Sequence, residues 1–144
     1  MNQAIIENIN AVVQPDDIYW HLGDFAWKDP QQFIAAIRCK HIHIVLGNHD
    51  RPQLLRGVRC YPGLVDLKLQ GQKVTLCHYP MRSWRASYHG AWHLYGHVHG
   101  RMESLPFTLD VGVDSHDFRP WSWNEICDYM KRTWAKTPAV PHHP

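Results

Sequence analysis

The stretch HIHIVLGNHD, residues 41–50, decides the fold. Its first half is rich in strand formers, breaks at Gly47, and hands over at once to Asn48, His49 and Asp50. The same order of strand, break and chemically active side chain recurs three times. DIYWHLGD (17–24) ends in Asp24, the run leading into CHYP (77–80) ends in His78, and LYGHVHG (94–100) ends in His97 and His99. In extended backbone, residues two apart face the same side, so His97 and His99 can point at one spot, a metal or a phosphate. One such ending is weak evidence, whereas four in order along one chain form a constellation.

Outward from these endings, QAIIENINAVV (3–13) places Ile5, Ile9 and Val12 at helical spacing and stops before Pro15. Asp29 with Pro30 reads as N-cap and first residue of a second helix whose buried stripe is Phe33, Ile34 and Ile37. LVDLKLQGQKVTLCHYP (64–80) reads as two strands joined by a turn at Gly71 and Gln72, followed by a loop from Met81 to Gly90. FTLDVGVD (107–114) is a further strand, and Ser122 with Glu125 makes a capping box for a last helix through Trp134. Strands and helices alternate early and strands dominate later. The expected fold is therefore α/β and layered, with polar residues gathered where strands end. Residues 1–136 are expected to form one domain, and TPAVPHHP (137–144) a disordered tail.

Composition narrows the function classes. A chain of 144 residues can bury roughly two-thirds of its unfolded surface. A net charge of +2 provides no basic stripe for a polyanion, so a nucleic-acid substrate ranks low. No apolar run approaches the roughly 20 residues that span a bilayer, and Cys39, Cys60, Cys77 and Cys127 show neither C-x-x-C spacing nor a leader before them. Reduced thiols in the cytoplasm are expected. The candidate ligands are imidazole, carboxylate and amide oxygen without thiolate, a set that suits Mn²⁺, Fe²⁺, Co²⁺, Ni²⁺ or Zn²⁺ better than Mg²⁺.

The ordered set GD, GNHD, H and GHVH, from Asp24 to His99, resembles the calcineurin-like metallophosphoesterases. That resemblance implies a two-sheet β-sandwich flanked by helices, a two-metal centre, and a small-molecule phosphate ester as substrate. It implies that Asp24 bridges two ions, that Asn48, His78 and His97 complete one ion's ligands, and that His99 belongs to the other. His49, oriented by Asp50, would stabilise the phosphate oxygens or protonate the leaving group. Such a centre attacks a phosphomonoester or phosphodiester with a metal-activated hydroxide, since metal binding lowers the pKa of water from 15.7 toward about 7.

The pattern departs from the family at one place. The family's Asp-x-His, which ends a strand upstream of GD, is absent: Asp16 and Asp17 are followed by Ile18 and Tyr19 where histidine is needed. The chain thus reads as beginning one strand late, through a start set too far downstream, a strand supplied by another chain, or degeneration. One metal site keeps Asp24, Asn48, His78 and His97, while the other keeps only Asp24 and His99, and catalytic metals usually have three or more protein ligands. A single firmly held ion and impaired activity are expected.

Arg51 and Arg82 follow GNHD and His78 and are candidate clamps for phosphate oxygens. His21, His41 and His43 lie within strands and read as packing or supporting residues. Trp84, Trp92, Trp121 and Trp123 read as core or cleft-rim aromatics, with a nucleobase platform as the other reading. Two further functions stay open: a degenerate, non-catalytic metal-binding or interaction module, and a nuclease built on the same centre. Substrate and oligomeric state are not encoded in any motif.

Overall fold

A computed structural model describes residues 2–138, so the last six residues of the expected tail lie outside the described residues. Among the described residues the fold is α/β, with two sheets and three α-helices. The elements are α1 (Gln3–Val12), β1 (Ile18–His21), α2 (Pro30–Ala36), β2 (His41–Val45), β3 (Arg59–Tyr61), β4 (Leu64–Leu69), β5 (Gln72–Cys77), β6 (Trp92–Tyr95), β7 (Thr108–Asp110) and α3 (Trp123–Trp134). One sheet has the order β1-β2-β3 and is wholly parallel; the other has the order β4-β5-β6-β7 and is antiparallel only between β4 and β5.

Asn2 caps α1, its side-chain oxygen accepting from the Ile5 N–H at 3.0 Å. The helix buries Ile6 and Ile9 rather than the expected stripe through Val12, which is exposed. It joins Tyr19, Ile42 and Ile44 in the first core, to which Phe33 and Ile37 add from the second helical segment. Asp29 does stand at the α2 N-cap, but in left-handed backbone (φ 47°), and its side chain makes no cap hydrogen bond. Pro30 is what starts that helix: its ring presets φ, and the missing N–H costs nothing in the first turn.

Register puts Trp20 beside His43 and Tyr19 beside Ile42. Tyr19 and Ile42 belong to the first core, so the alternating side chains of β1 and β2 turn the other way. Leu22 and Val45 pack there with Val74, Leu76, Trp92, Leu94, Leu109, Ile126 and Met130 in the second core. α3 closes this core and carries the expected capping box. Ser122 Oγ accepts from Glu125 N at 3.1 Å, Glu125 Oε2 accepts from Ser122 N at 2.9 Å, and Arg119 adds a 2.9 Å contact. These donors hold the Glu125 carboxyl down at about 2.

Two details differ from the sequence reading. The β4–β5 turn is Gln70–Gly71, both with positive φ, while Gln72 already pairs with Leu69. A two-residue turn of that handedness matches the twist of the hairpin, so the turn slides one residue earlier. The second is β3, three residues long and too short to show a period, which pairs with β2 through His43, Ile44 and Val45.

Candidate metal centre

Four strand ends converge. Asp24 lies three residues past β1, Asn48 three past β2, His78 one past β5 and His97 two past β6. All four are C-terminal ends of parallel-paired strands, the edge where α/β sheets place their sites.

His78 is the hub and is 2% exposed. Its Nδ1–H donates to the Leu22 carbonyl at 2.7 Å, which leaves the lone pair on Nε2. Around Nε2 stand His97 Nδ1 at 3.0 Å, Asn48 Oδ1 at 3.1 Å and Asp24 Oδ2 at 3.4 Å. The two oxygens carry lone pairs and no proton, so beside an Nε2 that bears no proton their approach is repulsive unless a cation sits among them. Spacings of 3.0–3.4 Å are also the edges of a coordination shell with ligand distances of about 2.1 Å. Asp24, His78 and His97 thus form a group that could hold a metal ion, and the Asn48 amide oxygen faces the same point.

The backbone is bent to build this arrangement. Asp24, His97 and His99 all take left-handed φ, at 55°, 69° and 52°. Such conformations cost about 1–3 kcal/mol each for a residue with a side chain and persist where surrounding contacts enforce them. For Asp24 the enforcement comes from Asp50, whose Oδ2 accepts from Asp24 N at 2.7 Å and Gly47 N at 2.8 Å while Oδ1 accepts from Phe25 N at 2.7 Å. Asp50 therefore staples the β1 and β2 loops together, and the structure does not place its carboxylate on His49. The reason is proximity of three unpaired loop N–H groups, which a carboxylate satisfies with charge-assisted bonds.

His49 keeps an exposed side chain beside the centre. Its backbone N–H donates to Asp24 Oδ1 at 2.9 Å, and its ring lies over Trp27, centroids 4.1 Å apart. His99 does not join the donor cluster; its Nδ1 contacts Asp114 Oδ2, an acidic partner supplied by the LDVGVD segment. Asp110, the last residue of β7, pins the same loop by accepting from Gly100 N at 2.8 Å and Gly112 N at 2.9 Å. Arg51 and Arg82 are exposed, with no side-chain hydrogen bond or ion pair among the described residues.

Sequence reasoning did not identify Trp27, Tyr79 or Asp114 as neighbours of the site. Only the repeated aspartate of LDVGVD carried any signal for them. Of the four tryptophans singled out, Trp84 and Trp92 are buried, while Trp121 and Trp123 pack against the second core.

His21, at the end of β1, makes an edge contact with Phe25 at 5.1 Å and accepts from Gly23 N. Burial pushes its pKa down to about 4, against the opposing pull of the Asp50 and Asp24 carboxylates. The unfolded chain's imidazole takes a proton near 6.5, so between that pH and about 4 the unfolded state binds more protons. Stability from this residue is whole above about pH 6.5 and is lost as pH falls toward 4. Urea titrations of the metal-free chain should show a His21→Phe variant losing about 2 kcal/mol less than wild type over that interval.

A groove of about 840 Å³ runs from this centre along β1 between the sheets, bordered by Ile18, Trp20, Leu94, Val111 and Trp121. Among the described residues β1 pairs on one edge only, with β2.

Comparison with known proteins assigns the class. The calcineurin-like phosphoesterase superfamily domain matches residues 1–105, and the chain belongs to that superfamily. It is 26% identical over 145 residues to the uncharacterized protein MJ1445 of Methanocaldococcus jannaschii, spanning 92% of this chain and 76% of that protein. Its fold is similar to the crystal structure of the protein of unknown function AQ665 from Aquifex aeolicus, with a TM-score of 0.69 at 24% identity, over 87% of this chain and 82% of that one.

Proposed function

We propose that the chain is a metal-dependent phosphoesterase that hydrolyses a phosphomonoester or phosphodiester. The observation that carries this reading is the convergence of Asp24, Asn48 and His97 on the lone-pair face of His78. Asp24, Asn48, His78 and His97 would hold one divalent transition ion such as Mn²⁺, Fe²⁺, Co²⁺, Ni²⁺ or Zn²⁺. A bound ion there supplies Lewis acidity, which makes water nucleophilic at neutral pH and neutralises phosphate charge.

The chain's own residues do the rest. The Nδ1–H bond from His78 to the Leu22 carbonyl keeps Nε2 facing the centre. Asp50 keeps Asp24 in its left-handed backbone, so the carboxylate stays on the site. The exposed His49 ring can donate a hydrogen bond to a phosphate oxygen or a proton to the leaving oxygen. Arg51 and Arg82, whose guanidinium groups have no partner among the described residues, can close on the remaining oxygens. His99 pairs with Asp114, and among the described residues no third close ligand joins that pair, which supports one firmly held ion rather than two.

The same reading treats the fold as a two-sheet sandwich one strand short. The open edge of β1 borders the groove, and the indole N–H groups of Trp121 and Trp123, which line it, have no acceptor among the described residues. An extended strand laid parallel on that edge would end at the donor cluster, as β1 and β2 do. The four free thiols support a reducing, cytoplasmic compartment.

The lack of a third close ligand for the His99–Asp114 pair among the described residues also favours a second reading, a non-catalytic metal-binding module. Metal counting after Mn²⁺ loading, with turnover of bis(p-nitrophenyl) phosphate and p-nitrophenyl phosphate, separates the two. The phosphoesterase reading expects about one ion per chain and slow turnover that EDTA abolishes and Mn²⁺ restores. A firmly bound ion with no turnover of either ester would establish the module instead.

A further inference from the structure

Two large aromatic rings stand in solvent at the rim of the donor cluster. Trp27 is 72% exposed and Tyr79 is 43% exposed, and neither belongs to either core. Their contacts are with the site's own histidines. One face of Trp27 lies over the His49 ring at 4.1 Å and 33°. Tyr79 meets His78 at 4.8 Å and 78° and His97 at 4.8 Å and 64°, both edge-on. Trp27 comes from the loop after β1 in the parallel sheet, and Tyr79 directly follows β5 and His78 in the mixed sheet. Each sheet therefore contributes one exposed aromatic ring beside the site's histidines.

Exposed tryptophan surface is unfavourable in water, and these rings cover no core, so burial on folding does not account for them. A ring with one face on His49 has its other face open, and aromatic faces accept planar π-systems by offset stacking. Substrate phosphate drawn to the centre would bring its attached group to this rim.

We propose that Trp27 and Tyr79 form an aromatic rim that selects phosphate esters bearing a planar aromatic group, an aryl ring or a nucleobase, over alkyl esters. The inference rests on the phosphoesterase reading above and names its substrate class. Trp27 stacks on the planar group, and Tyr79 limits how far that group swings toward His97. Stacking of this kind changes affinity by about 10-fold per ring.

The test measures binding rather than turnover. Calorimetry on the Mn²⁺-loaded full chain compares phenylphosphonate with methylphosphonate, which resist hydrolysis and differ in the ring. A second arm compares the 5′-methylenephosphonate analogues of adenosine 5′-monophosphate and ribose 5-phosphate, which also resist hydrolysis, so that a nucleobase preference is told apart from a general aryl preference. Wild type is expected to bind the aromatic member of at least one pair about 10-fold more tightly. Trp27→Ala should bring that ratio to near one, Tyr79→Leu should reduce it, and Trp27→Phe should keep most of it. Equal affinities within both pairs, or a preference unaltered in Trp27→Ala, would overturn the rim while leaving the phosphoesterase reading intact. Failure of all four ligands to bind would overturn both.

Discussion

A His78→Ala variant is expected to lose the metal centre, with Mn²⁺ affinity falling by more than about 100-fold and metal-dependent turnover falling with it. The expectation follows from the position of Nε2, which lies within 3.0–3.4 Å of donor atoms from His97, Asn48 and Asp24. Each of the other donors touches the cluster from its rim, whereas His78 is buried and locked through Leu22. Its removal also leaves the Leu22 carbonyl without that donor and opens a cavity, at a cost of about 2 kcal/mol in stability. Metal affinity by calorimetry, with thermal unfolding of the metal-free chain alongside, separates the two effects. Unchanged affinity in a folded His78→Ala chain would mean that the ion binds elsewhere.

Gly23→Ala and Gly47→Ala should be the most damaging single substitutions for the fold. A Cβ at Gly23 would lie 2.7 Å from Gly47 N and 2.8 Å from Gly47 Cα, and at a φ of 101°. A Cβ at Gly47 would lie 2.5 Å from Asp24 Oδ1 and 2.7 Å from Asp24 N. The obstructing atoms are backbone of the facing loop together with His78 Nδ1 at Gly23 and Asp24 Oδ1 and His78 Cε1 at Gly47, side chains held within the donor cluster, so relief requires the β1 and β2 loops to separate, which breaks the three bonds that Asp50 makes. A loss of about 4 kcal/mol, or a fall in Tm of about 15 °C, is expected for Gly23→Ala. Gly63→Ala is the control: its φ is 81° but nothing lies within 4 Å, so backbone strain of about 1 kcal/mol is all it should cost. Equal Tm values for the Gly23 and Gly63 variants would show that the loops are not packed as described.

Both predictions concern residues visible in the motifs, and the reason is local. A strand formed by HIHIV or DIYWH must end where glycine breaks it, and the next polar residues then stand at the sheet's C-terminal edge. The Ser122–Glu125 capping box was legible for the same reason, since both bonds close within one helical turn. Features set by distant packing were not. Three residues of β3 show no periodicity, and only pairing with β2 makes them a strand. The buried face of α1 is decided by the sheet beneath it, which takes Ile6 and Ile9 and leaves Val12 in solvent.

The side chains of GNHD and GHVHG show the same division. Sequence alone located the candidate donors, because Asp24, Asn48, His78 and His97 each stand within three residues of a strand's end. Tertiary structure decided what each donor faces. Two loops with left-handed residues turn Asp24 and His97 onto His78, three unpaired N–H groups claim Asp50, and the segment after β7 brings Asp114 to His99. Those choices depend on contacts between residues up to 56 apart in the chain, such as His78 with Leu22, and no local pattern of residue types encodes them.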